Sequence, residues 1–123
     1  MPSADQHRRK AEGNRKFLAI ISLDDHPDWV VVAAFYTAVH LVERLRATGG
    51  DGDSRGHEDR LSYLQHRHPD IHSPYYVLQN ASMLARYQSY SDFYAQFDPD
   101  NIPERILARL EVVEAYLAAQ LGA

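Results

Sequence analysis

The side chains in this sequence that could do chemistry are histidine, arginine and tyrosine: seven, eleven and eight of them in 123 residues. There is no cysteine, which excludes disulfides, thiolate zinc sites and a thiol nucleophile. Tyr36, His40 and Glu43 are spaced i, i+4 and i+7, so they lie along one face of a helix, flanked by Thr37 and Arg44. The surrounding residues are apolar. A buried polar group without a partner costs roughly 1–3 kcal/mol, so this stripe must meet partners or solvent. Two readings follow. Tyr36 and His40 are hydrogen-bonded core residues with Glu43 already at the surface, or the stripe floors a cleft in which His40 binds or moves a proton.

A second group suits a phosphodiester. His57 and Arg60 share a helix face, and Arg86 with Tyr87 follows further along. Arginine holds phosphate oxygens in a two-pronged fork and histidine moves a proton. The plainer reading of His57 and Arg60 is a solvated face, ion-paired to Glu58, Asp59 or another carboxylate. Tyr75, Tyr76, Tyr87, Tyr90 and Tyr94 could stack nucleic-acid bases or pack a core or interface. His66, His68 and His72 with Asp70 are metal-ligand types, but Arg67 sits among them and Pro69 imposes an irregular turn; no metal or cofactor is assigned. The glycines at 49, 50 and 52 have neither the Lys-Ser/Thr of a phosphate loop nor a strand before them, and no serine nucleophile elbow occurs.

These residues need helices to position them. The periodicity predicts a first helix over residues 5–23 with Ala11, Phe17, Leu18 and Ile21 as its apolar stripe. A second opens at His26-Pro27-Asp28 and ends at Thr48-Gly49-Gly50, because proline and an acid suit a first turn and glycine suits an exit. Residues 29–39 are apolar nearly all round, which predicts the buried centre of the fold. A flexible loop spans residues 49–56 and a third helix residues 57–67. Ser73-Pro74 reads as an N-cap and first-turn proline for a fourth helix ending near Tyr87 or Tyr90. Residues 91–101 fit no clear pattern, with Phe93, Tyr94 and Phe97 expected on the core. A last helix runs over residues 103–121, carrying Ile106, Leu107, Leu110, Val113, Leu117 and Leu121. The expectation is one all-α domain over residues 1–123, an antiparallel four- to five-helix bundle.

The totals bound the function. The formal charge of −4 and pI near 5.9 argue against broad, non-specific duplex binding. The apolar run at residues 17–23 ends in two aspartates with no cleavage pattern, and residues 29–39 fall short of the ~20 a membrane span needs. A cytoplasmic protein with no membrane partner is expected.

Asp28-Trp29, Phe35-Tyr36-Thr37-Ala38-Val39-His40, His57-Glu58-Asp59-Arg60, Tyr76-Val77-Leu78, Ser82 and Ala85-Arg86-Tyr87 together resemble small bacterial HEPN-type helical proteins across about half the chain. The resemblance implies a HEPN-like bundle, commonly a homodimer, that binds or cleaves RNA. A toxin- or defence-linked role would bring an antitoxin or a nucleotidyltransferase-type partner. The family signature, an arginine followed after four to six residues by a histidine, fits Arg60 with His66 and Arg67 with His72. These four would be the catalytic residues of a metal-independent endoribonuclease, arginine holding the phosphate and histidine helping to deprotonate the 2′-hydroxyl across a dimer cleft. Tyr36, His40, His57, Arg86 and Tyr87 would bind the strand. The alternative is a non-catalytic, dimerising interaction module whose polar residues are structural.

Overall fold

The computed structural model describes residues 2–87 and 90–122, and of Tyr90 the backbone alone. The described residues are all-helical, with no strand. In chain order the helices are α1 (Ala4–Ile20), α2 (Pro27–Thr48), α3 (His57–Arg67), α4 (His72–Tyr87), α5 (Tyr90–Gln96) and α6 (Ala108–Leu121). A 3-10 turn, Pro69–Ile71, runs into α4, and a π turn, Pro103–Leu107, runs into α6. No described helix is long and apolar enough to cross a membrane.

Helix α1 starts earlier than the apolar pattern shows because Ser3 and Gln6 form a reciprocal capping box. The Ser3 hydroxyl accepts from the Gln6 N–H (3.1 Å) and the Gln6 side chain accepts from the Ser3 N–H (2.7 Å). It also ends earlier. Ile21 is extended, and the chain turns where the Ser22 hydroxyl accepts from the Asp25 N–H. Ala11 and Leu18 face the core, whereas Phe17 is half-exposed rather than part of the buried stripe.

Helix α2 begins and ends as its proline and glycine signals predict. It is the centre of the fold: Val31, Ala34, Phe35, Ala38 and Val42 are fully buried, packed by α1, α4 and α6. Trp29 departs from the expectation of burial all round. It lies in the first turn, on the side away from the buried Pro27, Val30 and Val31, and stays 55% exposed.

Helix α3 has the predicted bounds, but the α4 start differs. The 3-10 turn carries the chain directly into helix at His72, so Ser73 lies inside α4 and caps nothing. Residues 88 and 89 lie outside the described set, so the Tyr90 alternative for the α4 end does too. The ambiguous stretch contains α5, with Phe93 and Phe97 buried; Tyr94 faces outward rather than onto the core. In α6, Leu110, Val113 and Leu117 are buried, and Gly122 exits with φ of 70°, the left-handed conformation that favours glycine.

Candidate functional site

The polar stripe of α2 turns inward at its far end. Glu43 is buried, not at the surface as one reading expected. Its Oε1 accepts from Arg60 Nε of α3 (2.8 Å), and its Oε2 accepts from the Ser54 N–H in the preceding loop (3.1 Å). Arg60 is buried as well, and its Nη1 donates to the Tyr75 hydroxyl of α4 (3.1 Å) and faces His57 Nδ1 (3.1 Å). Burial alone would raise the Glu43 carboxyl pKa; the bonds from Ser54 and Arg60 outweigh it and hold it below the usual range. Burial pushes the Tyr75 hydroxyl up to about 12. Arg60 therefore pairs with another carboxylate, Glu43 of α2, and the pair is buried rather than on a solvated face. His57 is held below the ordinary histidine value, first by burial and then by the charges of Arg60 and Arg86, which favours its neutral form.

Arg86 sits at the other end of the stripe. Its guanidinium lies against the rings of Tyr87, Tyr36 and Phe35 at 4.7, 5.2 and 6.0 Å from their centroids. It donates to the Tyr36 and Tyr87 hydroxyls. Among the described residues it has no carboxylate in ion-pair reach, and its Nε is buried without a partner. Asp28 lines the same small groove, with Trp29, Val32 and Ala85. His57 touches the same Phe35 ring, 5.6 Å away. Tyr36, His57, Arg86 and Tyr87 of the expected binding set thus come together. On the outer face of α4, Tyr76, Asn80, Met83 and Tyr87 all meet solvent.

His40, the remaining member of that set, faces a different way. It is half-buried against His7 of α1, with the two Nδ1 atoms 3.1 Å apart, and His7 Nε2 lies 3.0 Å from Asp53 Oδ1. Burial, then the charges of His7, Lys10 and Arg60, pull His40 below its ordinary value. Both rings line a cleft of about 420 Å³ with Pro2, Gln6, Arg9 and Lys10.

The expected catalytic residues are not brought together. Arg60 is enclosed in its ion pair. His66, six residues on and exposed, faces away from it and turns Nδ1 back to the Ser62 carbonyl (2.8 Å). Arg67 is exposed, lies over the Tyr63 ring and reaches Asp51 at 3.5 Å. His72 stacks on Tyr76 with centroids 6.3 Å apart. Of the tyrosines, Tyr75 is core and cannot stack a base, and the Tyr90 side chain lies outside the described residues. His68 also turns inward, bonded to the Tyr116 hydroxyl of α6 (2.7 Å).

Sequence reasoning missed His7 and Asp53. They lie 46 residues apart, and no local spacing signals their meeting. The one available sign was His7 itself, a histidine one turn before Ala11 on the same face of α1. Comparison with family models, with curated proteins and with solved structures gives no match.

Proposed function

We propose that this chain is a HEPN-like helical module that binds RNA, with a backbone phosphate seated at Arg86 beside His57. The observation that carries this reading is Arg86 itself: a guanidinium stacked on aromatic rings, one N–H buried and unpartnered, and no carboxylate pairing it among the described residues. An arginine so placed is short of an anion. The outward aromatic face of α4, with Tyr76 and Tyr87, suits unstacked bases, which favours single-stranded RNA over duplex. The acidic net charge agrees with a local site rather than a broad electrostatic surface. Binding is preferred to cleavage because Arg60 and His66 sit on different sides of α3.

The test is fluorescence anisotropy with a labelled single-stranded oligoribonucleotide, read across a salt series. Arg86→Ala should weaken binding about tenfold or more and lower the salt slope by roughly one counterion. His66→Ala and His72→Ala should leave binding unchanged. No binding by the wild type, or equal binding by Arg86→Ala, refutes the proposal. Chelator-insensitive cleavage that disappears in His66→Ala or His72→Ala would instead establish the endoribonuclease reading.

A second reading, the dimerising interaction module, is supported by a separate observation. Phe17, Ile20 and Trp29 are exposed around one cleft of about 550 Å³ between the end of α1 and the start of α2. Large apolar side chains grouped in this way suit a second copy of the chain.

A further inference from the structure

Three potential metal ligands from three parts of the chain converge where the loop after α2 folds back: His7 of α1, Glu43 of α2 and Asp53 of the loop. One ligand atom from each lies within 4.8 Å of the other two, and His7 and Glu43 are buried. We infer that His7, Glu43 and Asp53 form a binding site for one divalent first-row transition-metal ion. This site is separate from Arg86 and does not depend on the RNA reading.

The geometry and chemistry agree. Zinc holds nitrogen and oxygen ligands at about 2.0–2.2 Å, which places ligand atoms roughly 3–4 Å apart, so side-chain adjustment closes the site. His7 Nε2 and Asp53 Oδ1 already stand 3.0 Å apart. Glu43 accepts from Arg60 at one oxygen and from the Ser54 N–H at the other, with the Ser54 hydroxyl as a further donor; a carboxylate has about four lone-pair sites, so one remains for an ion. The two carboxylates supply anionic ligands: Glu43 pairs with Arg60, and Asp53 has the His7 imidazole as its partner. A donor set of one imidazole and two carboxylates, without sulfur, suits zinc or manganese better than copper(I), and its nitrogen disfavours calcium.

The surroundings resemble the outer shell of a metal centre. A histidine that binds metal through one ring nitrogen donates the other N–H to a neighbour. With Nε2 on the ion, His7 Nδ1 would carry that proton and give it to His40 Nδ1, 3.1 Å away. Glu43 is fixed by Arg60 and Ser54, and Asp53 is fixed by the loop, which Arg46 ties down through the Gly52 carbonyl and the Ser54 hydroxyl. Three protein ligands leave at least one coordination position for water or substrate, as in zinc sites that keep an open position.

The experiment uses the full chain, stripped with a chelator and titrated with Zn²⁺ by calorimetry, with Co²⁺ absorption as a probe of ligand geometry. One equivalent of Zn²⁺ should bind and raise Tm. Asp53→Asn and His7→Gln should each weaken binding tenfold or more, and His40→Ala, acting through His7, about 10–100-fold. Asp53 lies in a partly exposed loop, so Asp53→Asn decides the matter if His7→Gln fails to fold. His66→Ala, His68→Ala and His72→Ala should bind Zn²⁺ as the wild type does. The inference is overturned if the wild type takes up no Zn²⁺, if uptake survives Asp53→Asn unchanged, or if it is lost instead from the variants at 66, 68 and 72. Asp53→Asn should retain RNA affinity, so failure of one proposal leaves the other standing.

Discussion

Glu43 and Arg60 form the buried charge pair on which α2, α3 and the loop between them depend, with side chains only 5% and 9% exposed. Removing one partner of such a pair strands the other charge out of water, at a cost of about 3–5 kcal/mol. Glu43→Gln should therefore lower stability by that amount in urea unfolding. A Glu43→Leu/Arg60→Met double variant should recover most of it, because neither charge is then left alone. His40→Leu should cost less than Phe35→Ala, since His40 is half-open to its cleft and Phe35 fills the core; truncating a buried phenylalanine costs about 3–5 kcal/mol. At this scale the sequence was half legible. The i, i+4, i+7 stripe showed a polar line on α2, and the apolar setting said it needed partners. The partner of Glu43 did not show, because Arg60 is 17 residues away on another helix. The arginine–histidine spacings carry little information by themselves: eleven arginines and seven histidines in 123 residues yield about two such pairs by chance.

The elements were read best where a terminus carries its own chemistry. Pro27 and Gly49 bracket α2, and Gly56 and Pro69 bracket α3, so those bounds followed from the sequence. The start of α4 did not, because a 3-10 turn satisfies the backbone that a Ser73 cap would have served. The corner before it is pinned by His68, whose Nδ1 meets the Tyr116 hydroxyl and so ties the end of α3 to α6. Burial, then the charge of Arg67, holds His68 below its ordinary value. The unfolded chain therefore takes up its proton at higher pH than the native chain does. The contribution of His68 is complete above the unfolded value near ~6.5 and is lost as pH falls through it toward the lower native value. His57 and His40 have the same sign. Thermal melts between about pH 7 and 5 should show Tm falling with pH. His68→Asn, which keeps a hydrogen-bonding group for Tyr116 but cannot titrate, should flatten that slope without abolishing it.

At the scale of the whole molecule, the all-helical class was the firmest reading, because the segments between prolines and glycines repeat with helical period and none alternates. What the pattern could not show is which apolar residues stay outside. Phe17 and Trp29 belong to apolar patterns by spacing, yet both face solvent, beside the exposed Ile20, where α1 ends and α2 begins. Burial depends on what packs against a face, and periodicity describes only the face. If a second copy covers this cleft, light scattering should give a dimer mass for the wild type. Ile20→Ser/Trp29→Ser should shift it toward monomer with little change in Tm, because these side chains contribute little to the core. A monomeric wild type would remove the dimer reading.

Trp29 is also the chain's single tryptophan, and it lines two recesses at once: the apolar cleft with Phe17 and Ile20, and the small groove with Arg86. The protein therefore carries its own optical reporter at the junction of both proposals. An indole this exposed emits toward the red. Covering by a second copy would move the emission to the blue as protein concentration rises, whereas a base stacked beside Arg86 would quench it as RNA is added. One cuvette, without a label, can report which event occurs and at what concentration.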